Sequence, residues 1–381
     1  MIARGSFPWG WRRCFGLALL LGPFSFGALR AGAHETDNFF LPLEVELADL
    51  GDFLGAVHTR AIEAAVREVN AGIERALAIK DPAIRARQFE QWHDPDKLAG
   101  TVASRFGDAF TEAFRAERAV SGDWARRAYP GKLAAHRGTW MNLVAHLPID
   151  PRALIMFSQA HTVKAYGVYF GADKLTHFHQ LGWSYYRLYR SLRRDGWSQE
   201  EAYRKVLHHH AQSGFLSEKH IFGTLGTGVY SNADMCVDHL GFKFFLNLTE
   251  PVVLKGQARE PLVVRCGVFW RVNQHVRPQS GWLAAFVSDH WNEALNPSLY
   301  DPTMRPGIRR VLRSRADRIV QFYTQKDGRP NDPAYFEQLA HELATYHGEA
   351  YGHSGQFDKL MNIGNTCFPA RRQRDGNRSA D

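Results

Sequence analysis

Two short segments of this chain place acidic and imidazole side chains at helical spacing among apolar residues. Asp173 and His177 are four residues apart in the first segment, and Asp234 and Asp238 are four residues apart in the second. Side chains with this spacing lie on the same face of an α-helix, so each pair should face in one direction. Burying four ionisable groups is costly unless they contact one another, a metal or a ligand. The sequence therefore predicts a polar site inside a helical core.

Helical periodicity also dominates the rest of the chain. Ser198 begins a capping box, and Ser231 is placed to cap the helix that carries the second polar segment. The predicted helices span about 52–80, 97–119, 198–212, 231–246, 282–294, 308–323 and 333–346. Only the valine-rich stretch 262–276 is typical of extended structure. We therefore expect a mainly α protein, a helical globule with a central helix pair that carries the two polar segments, and one small β-hairpin.

The N-terminal residues have the pattern of an export signal. Arg4, Arg12 and Arg13 precede an apolar stretch, which is followed by small residues that end at Ala33. This pattern is typical of a cleavable signal peptide over residues 1–33. Cleavage near Ala33 would leave His34 at the new N-terminus, and the mature protein would be periplasmic or secreted.

Four further regions follow the signal peptide. We assign an N-terminal helical region to 34–147, the core with the polar segments to 148–248, a C-terminal helical region to 249–370 and a basic, disordered tail to 371–381. Four of the 47 basic residues leave with the signal, so the mature chain carries 43 basic against 39 acidic residues. This near-neutral balance argues against nucleic acid as a partner.

The polar segments and the residues between them resemble the VanZ-like family and related envelope proteins of the YfiM type. The residues that carry the resemblance are Asp173, Lys174, His177, Gly214, Glu218, Ser231, Asp234, Asp238 and Gly241. The pattern spans about residues 171–241. It usually has Asn at the position of Asp238, and it has an Asp shortly after the position of Glu218, which this chain lacks. The resemblance implies an envelope protein with helices near the membrane, and it implies no particular chemistry.

One interpretation of these residues is a metal site. The proposed ligands are Asp173, His177, Glu218, Asp234 and Asp238, because imidazole and carboxylate together suit Zn, Mn or another divalent ion. In this interpretation the ion activates water, and Glu218 or His177 moves the proton, with Asp234 as a further catalytic residue. The protein would then be a metal-dependent hydrolase that acts on a phosphate ester or another envelope constituent.

The other interpretation is a buried charge network in a non-enzymatic envelope protein. Lys174 and His177 would neutralise the acids, and the network would only fix helix packing. The aromatic and basic segment 183–194 would then engage the membrane surface or an envelope component. Alternatively, the tyrosines of that segment pack inward while its arginines are solvated. The sequence leaves the two functions open.

Three smaller expectations concern side chains outside these pairs. His179 is two residues from His177, so it should lie on a different helical face. If 282–294 is a helix, Asp289 and Glu293 share a face, either as support for a metal site or as a solvated edge. In an oxidising compartment, the cysteines allow at most one intrachain disulfide, and Cys266 with Cys367 is the expected pair.

Overall fold

The structure is a computed structural model, and it describes residues 38–106, 123–137, 161–213, 219 and 228–368. The predicted signal peptide and the basic tail lie outside these residues. Gly214 and Glu218 of the family-like pattern also lie outside them. Within the described residues the protein is mainly α-helical, as the sequence predicts.

The helices are numbered here in chain order over the described residues. They are α1 (Gly51–Leu77), α2 (Pro82–His93), α3 (Pro95–Ala103), α4 (Asp123–Ala128), α5 (Asp173–Thr176), α6 (Gly182–Arg194), α7 (Gln199–His208), α8 (Asn232–Asn247), α9 (Arg305–Ser314), α10 (Ala316–Gln321), α11 (Pro333–Glu342) and α12 (Ile363–Cys367). Turns of π-helix follow three of them, at His177–Leu181, His209–Ser213 and Phe322–Lys326. The first of these turns joins α5 to α6 and carries His177.

The two helix starts predicted from caps are confirmed. Ser198 Oγ accepts from the Glu201 N–H, and the Glu201 carboxylate accepts from the Ser198 N–H, so α7 begins with a capping box. Ser231 Oγ accepts from the Asp234 N–H at 3.1 Å at the start of α8. Each cap gives a partner to N–H groups that have none within the helix.

The strands are short and antiparallel. They are β1 (His136–Arg137), β2 (His161–Ala165), β3 (Val168–Gly171), β4 (Val229–Tyr230), β5 (Val252–Leu254), β6 (Gln257–Arg259), β7 (Val263–Cys266), β8 (Phe269–Val272) and β9 (Leu299–Tyr300). They form one sheet in the order β1-β2-β3 and the pairs β4-β9, β5-β6 and β7-β8. The expectation of extended structure in 262–276 alone is therefore wrong. Strands of two to five residues are too short for a clear alternating pattern, so the sequence did not indicate the others.

The expected helix at 282–294 is also wrong. Trp282–Ala285 and Asp289–Trp291 form separate 3₁₀ turns, and Ser288 between them is extended. After the second turn, the side chain of Asn292 accepts from the Ala294 N–H at 2.9 Å. A helix would need that N–H for its own ladder, so the asparagine favours a turn instead.

Two glycines allow the helices around the polar segments to approach closely. A Cβ at Gly241 in α8 would lie 1.9 Å from the carbonyl oxygen of Phe178. A Cβ at Gly182 in α6 would lie 2.5 Å from the carbonyl carbon of Gly241. Any other residue at either position would force the backbones apart, and the polar side chains beside them would separate.

Helix α8 is buried along its whole length. One hydrophobic core surrounds it and includes side chains from α1, α3, α6 and α7, while a second core joins Phe39 and Leu41 to α9, α10 and α11. In the part of the chain that the structure describes, no helix combines the length and the apolar character that a membrane crossing needs.

The predicted disulfide between Cys266 and Cys367 is wrong. Both cysteines are free, and so is Cys236. Cys266 is exposed at the end of β7, whereas Cys367 is buried in α12. Their spacing in the sequence carried no information about this difference in burial.

Candidate functional site

The two polar segments meet in the interior of the protein. Asp173 and Lys174 begin α5, and His177 begins the π-helical turn that follows it. Asp234 and Asp238 lie one turn apart on α8. The spacing predicted that each pair would face one way, and α8 then places both of its carboxylates within reach of His177.

Lys174 is at the centre of this cluster. Its ammonium lies 2.8 Å from Asp173 Oδ2 and 2.5 Å from Glu293 Oε1, and it also contacts Asp234 Oδ1. The Lys174 side chain is fully buried. A buried ammonium needs anionic partners, and the carboxylates of Asp173 and Asp234 supply them.

His177 lies between the two carboxylates of α8. Its Nδ1 is 2.9 Å from Asp238 Oδ1, and its Nε2 is 3.4 Å from Asp234 Oδ2. The shorter contact is a hydrogen bond, and it fixes the orientation of the ring. The His177 side chain is 15% exposed, so it is the residue through which this cluster reaches solvent.

Glu293 belongs to the cluster, whereas the sequence offered it only as part of a pair with Asp289, either as support for a metal site or as a solvated edge. Asp289 and Glu293 do not share a helical face, because the segment that carries them is not a helix. Glu293 is buried and contacts Lys174, whereas Asp289 binds Arg329 at 3.0 Å. Among the described residues, Glu293 Oε2 is buried without a hydrogen-bond partner. In the sequence, the only indication of this position was an acidic residue directly after Trp291 and Asn292.

Burial changes the proton affinity of three side chains here. Burial raises the pKa of Glu293 to about 8, against the effect of Lys174. It also raises the pKa of Asp238 to about 6, and His177 opposes that shift. For His177 itself, burial favours the neutral ring, but the carboxylates of Asp234 and Asp238 outweigh this effect and raise its pKa to about 10. The cluster therefore favours the protonated form of Glu293 and the cationic form of His177.

Three of the five predicted ligands are placed to share an ion. One ligand atom from each of Asp173, His177 and Asp234 lies within 4.8 Å of the others. Asp238 is not part of this set and instead bonds the opposite nitrogen of the His177 ring. Glu218 lies outside the described residues, so its predicted roles as ligand and proton carrier stay predictions.

His179 occupies a different environment from His177, as its spacing predicts. Its Nε2 lies 2.8 Å from Nε2 of His58 on α1, and its ring stacks on Phe106 with 3.8 Å between centroids. Burial lowers the pKa of His179 to about 3. This ring is therefore a neutral part of the aromatic core and is not directed at the carboxylates.

The aromatic and basic residues of α6 separate by burial. Tyr185, Tyr186 and Tyr189 are buried, whereas Arg187 and Arg194 are exposed. The interpretation in which the rings pack inward is therefore confirmed. Contact of the arginines with a membrane surface stays a prediction.

Comparison with known proteins adds no assignment. No protein-family model matches the chain, and no characterised protein or solved structure is significantly similar to it. The resemblance to VanZ-like envelope proteins therefore rests on the short motifs alone. Any function has to be argued from the cluster itself.

Proposed function

We propose that Asp173, His177 and Asp234 bind a divalent metal ion inside an exported envelope protein. The observation that carries this proposal is the convergence of one imidazole nitrogen and two carboxylate oxygens within 4.8 Å. Imidazole with carboxylate is a ligand set for zinc or manganese. The helices that carry these residues would form the central pair of the fold, and the signal-like N-terminus supports export.

The role of Asp238 supports a metal site. Metal-binding histidines usually donate the N–H of their other nitrogen to a carboxylate, which fixes the ring and makes it a better ligand. Asp238 lies 2.9 Å from Nδ1 of His177, so Nε2 faces Asp234. We therefore assign Asp238 a positioning role instead of the ligand role expected from the sequence.

The charge of the cluster also supports a cation. Even without Glu293, the three aspartates face only two cations, Lys174 and His177, so one negative charge is left over. A divalent ion that replaces the proton on His177 would bring the total to zero. Closely grouped carboxylates in a buried site need such compensation.

The chemistry that such an ion would supply is the activation of water for hydrolysis. His177 is the most exposed of the three ligands, so a substrate would approach from its side. Hydrolysis of a phosphate ester or another ester of the envelope is the reaction that we propose. Glu218 remains the candidate for proton transfer from the resemblance.

A second candidate is the non-enzymatic network, and the position of Lys174 favours it. The ammonium already contacts Asp173, Asp234 and Glu293, as a purely structural centre would require. In that case the charges would only hold α5 and α8 together.

Thermal melting with and without a chelator separates the two candidates. Asp234→Asn keeps the size of the side chain but removes its charge, so a metal protein should lose ion binding and the effect of the chelator together. Asp289→Asn is the matched control, because Asp289 pairs with Arg329 outside the cluster. If the chelator leaves the melting temperature of the wild type unchanged and Asp234→Asn is strongly destabilised, the result would favour the network.

A further inference from the structure

A cavity of about 710 Å³ lies between the β5-β6 hairpin and the segment 280–286. Its apolar wall consists of Leu254, Leu262, Trp282 and Phe286, all of which are buried. Cavities of this size with an apolar wall and a few polar groups are typical of small-molecule sites. The wall would accommodate an apolar body.

The polar groups of this cavity are mainly basic. Lys255, Arg259 and His275 line it, and Glu260 is the carboxylate that lines it with them. Among the described residues, no ion pair neutralises Lys255 or Arg259. The Nε–H of Arg259 is buried there without a hydrogen-bond partner, although Nη2 donates to Gln257. A buried guanidinium N–H without an acceptor is costly, and an anion would supply the acceptor.

Lys255 reaches this cavity from an unusual position. It is the first of the two turn residues of the β5-β6 hairpin, with φ of 51°, and Gly256 follows with φ of 71°. Such turns favour Asn, Asp or Gly at the first position, so the backbone does not explain a lysine there. The Lys255 ammonium donates to the Ala284 carbonyl across the cavity at 2.9 Å. Burial and the neighbouring Arg259 lower the pKa of Lys255, so the two cations are close enough to repel each other.

We propose that this cavity binds a small amphipathic organic anion. Its terminal carboxylate or phosphate would contact Lys255 and Arg259, and its apolar body would lie along Trp282 and Phe286. Arginine can hold either group with two parallel hydrogen bonds. The inference does not depend on the proposed metal site, because none of these residues belongs to that cluster.

Calorimetric titration of the full-length mature protein with octanoate, octyl phosphate and 1-octanol tests the proposal. We expect the two anions to bind at one site per chain, and the uncharged alcohol at least about tenfold more weakly, which corresponds to about 1.4 kcal/mol. The anion that binds more tightly shows whether the site prefers a carboxylate or a phosphate headgroup. Arg259→Gln and Lys255→Met should each weaken anion binding about tenfold or more, whereas Lys255→Arg should keep most of it.

A control variant locates the binding. Arg271→Gln removes an exposed arginine of β8 that does not line the cavity, and it should leave anion binding unchanged. No binding of either anion, equal binding of 1-octanol, or unchanged binding by an Arg259→Gln variant with a wild-type melting curve would each overturn the proposal.

Discussion

Replacement of Lys174 by methionine tests whether the buried cluster depends on this ammonium. Methionine has a similar length and no charge, so Lys174→Met removes the cation while filling most of its space. The change removes the ammonium that both Asp173 and Asp234 contact in the wild-type protein, while His177 still faces Asp234. Removing one partner of a buried ion pair costs about 3 to 5 kcal/mol, because the charge that remains is buried and has lost that partner.

The size of this effect also depends on Glu293. Burial raises the pKa of Glu293 and Lys174 opposes this effect, so Glu293 takes up a proton more readily when Lys174 is removed and adds little charge. Glu293→Gln should therefore destabilise the protein much less than Lys174→Met. The two aspartates account for most of the expected cost.

Chemical denaturation of wild type and variants at pH 7 gives the free energies of unfolding. Lys132→Met is the matched control, since Lys132 contacts Glu46 at 2.9 Å but both side chains are largely exposed. Exposed pairs contribute little because water screens them. If Lys174→Met costs no more than Lys132→Met, the ammonium does not stabilise the cluster, and the argument from burial is refuted.

Three other predictions concern packing, pH and export. Gly241→Ala should destabilise by about 1 to 3 kcal/mol or more, because its Cβ would meet the Phe178 carbonyl, whereas Gly100→Ala in α3 meets only ordinary contacts and should not destabilise; equal melting temperatures would contradict this. Burial lowers the pKa of His290 to about 4, so the unfolded state binds more protons below pH 6.5 and stability should fall from there towards pH 4. The melting temperature of His290→Gln should change less with pH across this range than that of the wild type. Expressed in a bacterium, the protein should be recovered from the periplasm or medium with His34 at or near its N-terminus, and an intact N-terminus in the cytosol would contradict export.

The local features of the site could be predicted from the sequence. Ser231 fixes the start of α8 by capping, and the four-residue spacing then determines that Asp234 and Asp238 share a face. Lys174 was identified as the neutralising cation because it is next to Asp173. These inferences use interactions between residues that are close along the chain, where helix geometry is known in advance.

Apart from the convergence of the two polar segments, the long-range features of the site could not be predicted. Glu293 is 119 residues from Lys174 along the chain and lies just after a 3₁₀ turn without a periodic pattern. Asp234 and Asp238 face opposite nitrogens of the His177 ring, and His177 begins a π-helical turn that α-helical spacing does not predict. The close approach at Gly241 depends on which helix packs against it, and one sequence does not specify that.

The metal content of the purified mature protein tests the central claim most directly. Elemental analysis by mass spectrometry, after dialysis against zinc or manganese and removal of unbound ion, should give one divalent ion per chain for the wild type. Asp234→Asn and His177→Gln should each give much less, while Asp289→Asn should match the wild type. A folded wild-type protein that holds no ion under these conditions, or variants that hold as much as the wild type, would contradict a metal site at Asp173, His177 and Asp234.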